Sequence, residues 1–199
     1  MRVSYPVLLL LLAAPTALAQ TVHTWTGGSG DWNEPTNWTP ADVPDFGDTA
    51  IFPSGTATLT TDVTLGTLRI EGVAGVDGNA DLTVTEELVW DTGVTGSGWV
   101  TFRGSGLVTV AAGATLRLDD DRYFEAGADR TLVNDGTAIW EGLGDWQGQG
   151  RFVNNGELVL AFDAGALLTF VTGNRADALT NTATGVIRRT GSGTARYGG

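Results

Sequence analysis

The chain contains no cysteine and no lysine, and its only histidine is His23. Without cysteine, an exported domain cannot be held by disulfides, so it must depend on core burial and backbone pairing. The same absences exclude thiol and Schiff-base catalysis. A Ser-His-Asp relay would have to recruit His23 from close to the N-terminus, and we expect this residue to lie at the surface.

Positive charge is also scarce. The 199 residues include 11 basic and 23 acidic side chains, and every basic one is an arginine. The formal net charge is −12 and the isoelectric point about 4.2. Such a chain is a poor partner for nucleic acid or for anionic lipid. We therefore expect neither as a ligand.

The N-terminal segment has the features of a secretory signal peptide. Arg2 supplies positive charge, the apolar run VLLLLLAA begins at Val7, and Ala17-Leu18-Ala19 has the small-x-small pattern of a cleavage site. The apolar run is too short to span a bilayer. We predict cleavage after Ala19 and a secreted or cell-surface protein with no membrane insertion of the mature segment.

The rest of the chain shows no helical period of useful length. Instead, short runs with apolar residues at alternate positions recur from about residue 50 onward, which is the pattern of strands with one buried face. Glycine, asparagine and aspartate separate these runs and suit tight turns. The sequence therefore predicts an all-β protein. The runs are TATLTT, TLRIE, LTVTEELVW, WVTFR, LVTV, TLRL, TAIWE, ELVLAF and LLTFV.

A repeated turn narrows the prediction within the all-β class. LVNDGTAIW, FVNNGELVL and LTNTATGVI share an apolar residue, an asparagine two positions later, turn residues and a strand. Their asparagines, Asn134, Asn155 and Asn181, are 21 and 26 residues apart. A β-sandwich would have shorter, less uniform hairpin spacing. A coil of successive turns would stack the asparagines about 4.8 Å apart as a hydrogen-bonded ladder.

The region LTVTEELVWDTGVTGSGWVTFRGSGLVTVAAGATLRL and the three asparagine turns after it resemble the repeat region of large bacterial secreted β-helix proteins. The resemblance implies a right-handed parallel β-helix and an adhesin-like role at the cell surface, with surface glycans or receptors of host or neighbouring cells as partners. It also implies either that the chain is part of a longer one or that it is an unusually short member of the group. The N-terminal segment resembles that of autotransporter passengers at Trp25, Trp32, Asn37, Trp38, Pro44, Asp48 and Phe52.

Three of the seven tryptophans, Trp25, Trp32 and Trp38, lie in the glycine-rich stretch WTGGSGDWNEPTNW. A β-helix has two open ends, and large aromatic side chains are able to plug one of them. We therefore predict three segments: a signal peptide over 1–19, an N-terminal cap over 20–55, and β-helix turns over 56–199. The alternative is that the three indoles form an exposed platform that binds carbohydrate.

The acidic run Asp119-Asp120-Asp121 is the best candidate for other chemistry. Two carboxylates at a suitable separation can act as general acid and base in the hydrolysis or eliminative cleavage of a polysaccharide. Carboxylate oxygens are also suitable ligands for calcium. Adjacent residues on a strand point to opposite faces, however, and on a turn they fan into solvent. We expect a solvated turn, no catalytic residues and no cofactor. A lyase or hydrolase, or a calcium site at these aspartates, is the alternative.

Overall fold

The computed structural model describes residues 20–91, 100–118, 124–126, 130–141, 146–148, 150–161, 167–168, 170–171, 179–192 and 194–195. Within these ranges the regular structure consists of β-strands and one short 3-10 helix, Pro35–Asn37. This confirms the prediction of an all-β protein. The predicted signal peptide and the three aspartates at positions 119–121 lie outside the described residues.

The strands are short, and most contain three to five residues. The first eleven are β1 Val22–Trp25, β2 Ser29–Asp31, β3 Trp38–Thr39, β4 Thr49–Phe52, β5 Gly55–Leu59, β6 Val63–Glu71, β7 Ala74–Gly78, β8 Leu82–Asp91, β9 Val100–Phe102, β10 Leu107–Val110 and β11 Thr115–Leu118. The others are β12 Phe124–Ala126, β13 Thr131–Asn134, β14 Thr137–Trp140, β15 Trp146–Gly148, β16 Arg151–Asn154, β17 Glu157–Leu160, β18 Leu167–Leu168, β19 Phe170–Val171, β20 Leu179–Asn181, β21 Val186–Arg189 and β22 Thr194–Ala195.

Most strands belong to two sheets, which we call the large sheet and the small sheet. The large sheet has thirteen strands and includes β8, β11, β14, β17 and β21 in that order. The small sheet has seven strands in the order β19-β15-β12-β9-β7-β5-β2. Among the described strands every pairing is parallel except that of β1 with β3. Hairpin-linked antiparallel sheets, as in a sandwich, are therefore not the architecture.

The core follows from the two-residue period of the strands, because alternate side chains point to one side of the sheet. Parallel register then places each inward residue against the inward residue of the next strand. One column of the large sheet is almost wholly buried and apolar. It consists of Phe52, Ile70, Trp90, Leu118, Trp140 and Leu160, and the ring of Trp25 stacks on Phe52 at its end.

The parallel stacking begins inside the segment that the sequence assigns to the cap. Strand β1 pairs in parallel with β4, and β2 pairs in parallel with β5. Residues 20–55 therefore contribute strands to both sheets as well as the aromatic cluster. The sequence of this segment does not show the alternation of apolar residues that predicts strands, because β2, with the sequence SGD, contains no apolar residue.

No helix in the described part of the chain has the length and apolar character needed to cross a membrane.

Candidate functional site

The three tryptophans of the N-terminal segment converge in the interior. Their exposed fractions are 1% for Trp25, 0% for Trp32 and 1% for Trp38. Together with Phe52 they form what we call the tryptophan cluster. The ring of Phe52 stacks on Trp25 at 5.3 Å and on Trp32 at 5.2 Å, while Trp38 meets it edge-on at 5.2 Å. Offset and edge-to-face arrangements at such distances are favourable beyond the burial of area.

The backbone between the tryptophans turns back on itself to bring the rings together. Gly27 and Gly28 have φ angles of 92° and 85°, which side chains with a Cβ rarely adopt, so the chain reverses directly after Trp25. The 3-10 helix Pro35–Asn37 then leads into Trp38, whose strand pairs antiparallel with β1 at Trp25. Glycine and proline in this stretch therefore fold the loop over its own aromatic side chains.

Hydrogen bonds fix two of the indoles. Trp38 Nε1 donates to the backbone oxygen of Trp32 at 2.8 Å, and Trp25 Nε1 donates to that of Gly28 at 3.3 Å. A buried indole N–H without a partner would carry a desolvation cost, so these bonds favour the inward orientation. The cluster has no indole face available to a sugar. This geometry favours the structural cap over the carbohydrate platform.

The expectation that His23 lies at the surface is wrong. Only 2% of the residue is exposed, and its Nε2 lies 3.3 Å from Asp48 Oδ2. The imidazole also faces the edge of Trp38, with 6.4 Å between ring centroids. Position 23 is an inward position of β1, opposite Ala50 in the parallel register. The strand period therefore buries the histidine, and closeness to the N-terminus does not expose it.

Asp48 holds the first residues of the described chain in place. Its Oδ1 accepts the backbone N–H of Thr21 at 2.8 Å, and its Oδ2 accepts that of Asp45 at 3.1 Å. Burial alone raises the pKa of the Asp48 carboxyl, but these two bonds and the neighbouring His23 together bring that pKa below its ordinary value of 3.8. Both oxygens of the Asp48 carboxylate are therefore engaged in hydrogen bonds.

The asparagine ladder exists, but it runs through Asn154 and not through the predicted Asn155. Asn134 Nδ2 donates to Asn154 Oδ1 at 2.7 Å, and Asn154 Nδ2 donates to Asn181 Oδ1 at 2.7 Å. The sequence motif FVNNG offers two asparagines, and inward position 154 is the one in register with Asn134. Asn155 lies in the turn and donates to Asp135 Oδ1 instead.

The glycine two residues after Asn134, and the glycine two residues after Asn154, allow the turns to stack closely. A Cβ at Gly156 would lie 2.1 Å from the backbone oxygen of Gly136, and a Cβ at Gly136 would lie equally close to that of Ala114. Backbone atoms cannot yield at this distance. The repeated Asn-x-Gly therefore combines a buried amide with a position that excludes any side chain.

A buried arginine, Arg130, was not anticipated from the sequence. It is 1% exposed, and one of its terminal nitrogens donates to the backbone oxygen of Ala80 at 3.0 Å. Burial lowers the pKa of its guanidinium, and the charges of Asp81 and Asp77 offset part of that effect. Arg130 follows an unpatterned stretch, so the alternation of apolar residues gives no signal for it.

The predicted calcium ligands Asp119, Asp120 and Asp121 lie outside the described residues, and so their arrangement stays a prediction. Among the residues that the structure does describe, no group of three or more histidine, aspartate or glutamate side chains could hold a metal ion.

No protein-family model, curated protein or solved structure matches the chain. The class of protein that the fold itself defines is that of all-β proteins with parallel sheets.

Proposed function

We propose that the chain is a right-handed parallel β-helix that serves as an exported, non-catalytic structural or adhesive module at the cell surface. The observation that supports a coiled chain is that successive strands belong alternately to the two sheets. Strands β4, β6 and β8 belong to the large sheet, and the intervening β5, β7 and β9 belong to the small one. Each sheet pairs these strands in parallel, as one chain does when it winds through successive turns.

The ladder supports the same proposal. Stacked asparagines at one corner of a coil satisfy each other between turns, as Asn134, Asn154 and Asn181 do. A module of this kind is long, rigid and rich in backbone pairing, which suits display at a surface. The predicted signal peptide supports export.

Two features support a non-catalytic role. The only histidine is buried beside Trp38, and the carboxylate next to it accepts two backbone N–H groups. General acid–base catalysis needs a group that can reach the substrate. The alternative enzyme, which would use Asp119 and Asp121, stays a prediction. The alternative carbohydrate-binding module loses support from the burial of its three tryptophans.

Expression of the full chain with an epitope tag tests export and display. We expect the mature protein to begin at Gln20 by mass spectrometry and to be accessible to antibody on intact cells or in the medium. The matched control is a chain with Arg2 and the apolar run replaced by polar residues, which should stay in the cytoplasm. Retention of both proteins in the cytoplasm would contradict the proposal.

Incubation of residues 20–199 with acidic and neutral polysaccharides tests the absence of catalysis. We expect no reducing ends and no unsaturated products. Turnover that disappears in an Asp119→Asn/Asp121→Asn double variant, while the melting temperature is unchanged, would establish the enzyme instead.

A further inference from the structure

The large sheet has an open edge at strands β20 and β21. Strand β21 pairs with β17 and strand β20 pairs with β16, and no other described strand pairs with either of them. The unpaired edge of a sheet presents backbone N–H and C=O groups to which another chain is able to bind. We call the exposed surface of these two strands the C-terminal face.

The C-terminal face includes apolar side chains that are exposed to solvent. Ile187 continues the inward column that contains Ala138 and Leu158, which are 0% and 1% exposed, yet Ile187 itself is 44% exposed. Val186 beside it is 54% exposed. In stacked turns an inward side chain is covered by the turn that follows it. The core is therefore partly open to solvent at Ile187.

The C-terminal face is also positively charged. Residues 178–199 contain three arginines and no acidic residue, and Arg188 and Arg189 lie on β21. Arg188 forms an ion pair with Glu157. Among the described residues, the bond that Arg189 makes is from its Nε to the backbone oxygen of Gly191. The two terminal nitrogens of Arg189 are therefore free to bind a carboxylate of another molecule.

The N-terminal end of the large sheet has the opposite charge. Residues 20–68 contain six acidic residues and neither arginine nor lysine. Glu34, Asp42 and Asp45 are exposed, and within the described ranges none of them forms a salt bridge. They lie in the segments on either side of β3, the outermost strand at this end. We call this surface the N-terminal face.

Exposed apolar residues are concentrated at the same two ends. The described part of the chain has six large apolar residues that are exposed, and four of them lie in the first or the last turn. Val22 and Phe46, which are 52% and 64% exposed, belong to the N-terminal end, and Val186 and Ile187 to the other. Exposed apolar side chains beside charged ones are typical of surfaces that bind another protein.

We propose that the C-terminal face of one copy of this chain binds the N-terminal face of a second copy, head to tail. The arginines of the first meet the carboxylates of the second, and the apolar side chains of both are buried. Strand β3 has only two residues, so side chains decide the contact more than backbone pairing does. The two faces differ, so the contact is heterologous and adds further copies without closing. The proposal goes beyond the proposed function, since it rests on the sheets and does not require export or adhesion.

Contact between two C-terminal faces is the competing arrangement. It would bring Arg188 and Arg189 of one copy close to the same residues of the other, and like charges in an interface oppose association. Charge therefore favours the head-to-tail contact. The formal net charge of −12 makes two copies repel each other at long range. We therefore expect weak association that appears as the protein concentration is raised.

Sedimentation velocity of residues 20–199 at increasing protein concentration tests the proposal. We expect the mean mass to grow continuously beyond that of a dimer. Arg189→Glu should weaken association at least about tenfold, because it replaces an attraction between the faces by a repulsion. The matched control is Arg69→Glu, which changes the net charge equally on the side of the large sheet and should leave association nearly unchanged.

The double variant Asp42→Arg/Asp45→Arg tests the other face. It reduces the net negative charge and hence the long-range repulsion, yet it should weaken association at least about tenfold because it places arginines opposite Arg189. An equal mixture of this variant with Arg189→Glu should associate again. In the mixture each variant presents a face that is complementary in charge to a face of the other.

A change of apolar character gives an independent test. Ile187→Thr should also weaken association, and it replaces Arg189→Glu if that variant fails to fold. The control is Val73→Thr, because Val73 is 56% exposed and lies beside the small sheet. Three results would overturn the proposal: a chain that stays monomeric at every concentration, association that stops at a dimer, and unchanged association of the Asp42→Arg/Asp45→Arg variant. Equal losses in the two controls would overturn it as well.

Discussion

Trp38 donates its indole N–H to the backbone oxygen of Trp32 at 2.8 Å, and both residues are almost wholly buried. The side chain of Trp38 thus fixes the backbone of the loop that contains Trp32. The bond links a strand that pairs antiparallel with β1 to the stretch that leads away from β2. Loss of the Trp38 side chain should therefore remove this bond as well as leave a cavity, whereas loss of the Trp32 side chain leaves a cavity but keeps the backbone acceptor.

Truncation of the tryptophan cluster should destabilise the protein with or without ligand. We expect Trp38→Ala to lower the free energy of unfolding by about 3–5 kcal/mol, the range for large-to-small changes at buried aromatic residues. Chemical denaturation in the presence and absence of glycans measures it. The control is Phe46→Ala, because Phe46 is 64% exposed and should change stability by about 0.5 kcal/mol or less. Unchanged stability with lost glycan binding would instead support the carbohydrate platform.

The two neighbouring asparagines of FVNNG should differ in their effect on stability. Asn154→Leu removes the buried amide that joins Asn134 to Asn181. Asn181 Oδ1 and the backbone oxygen of Val186 then lose their bonds to it, while Asn134 Nδ2 keeps its bond to the backbone oxygen of Glu157, and we expect a cost of about 1–3 kcal/mol. Asn155→Leu removes only an exposed bond to Asp135 and should cost about 0.5 kcal/mol or less. Thermal denaturation compares the pair. A larger loss for Asn155 would place the ladder where the sequence alone predicted it.

Gly156 should tolerate no larger residue, although its φ angle is not in the left-handed region. In Gly156→Ala the new Cβ would meet the backbone oxygen of Gly136, and overpacking of this kind costs about 1–3 kcal/mol. Gly113→Ala is the comparison, because its Cβ would meet open space and the cost there comes from a φ of 88° alone. If both variants unfold at the same midpoint as the unmodified protein, close stacking of the turns is not what the glycines provide.

The contribution of Asp48 to stability should depend on pH in the acidic range. Its pKa in the folded protein is below 3.8, so the folded state favours the ionised carboxylate. That stability is fully present above pH 3.8 and is lost as the pH falls through the lower, folded-state pKa. We expect the stability difference between the unmodified protein and Asp48→Asn to be largest near pH 6 and to shrink towards pH 2. Asp42→Asn provides the control, and a difference that grows on acidification would contradict the assignment.

The alternation of apolar residues predicted many of the strands well. Runs such as TLRL and LVTV are bounded in the structure at the residues that the pattern gives, Thr115–Leu118 and Leu107–Val110. It failed at β2 and β7, because SGD and AGVDG offer little side chain to alternate. Composition cannot reveal these strands. Their place is set by pairing with β5, which brings their backbone into register.

Site residues were harder to predict for a related reason. The inward or outward position of a residue depends on register, and a shift of one residue reverses it. FVNNG could place either asparagine in the ladder, and only the alignment of Asn154 with Asn134 decides between them. His23 was misplaced because one histidine near a terminus has no visible period of its own. Arg130 is buried through contacts with residues some fifty positions earlier, which no local pattern contains.

The ladder has a direction. Each amide nitrogen points to the next asparagine along the stack, and at the other end Asn134 Oδ1 is buried without a partner above Val110. An asparagine at position 110 would face this unpaired oxygen, so the single substitution Val110→Asn would extend the ladder by one residue. Duplication of a turn would therefore have different results at different places in the stack. The asparagine of a copied turn inserted between Asn134 and Asn154 would have a hydrogen-bond donor on one side and an acceptor on the other. The asparagine of a copied turn inserted below Val110 would have only apolar neighbours.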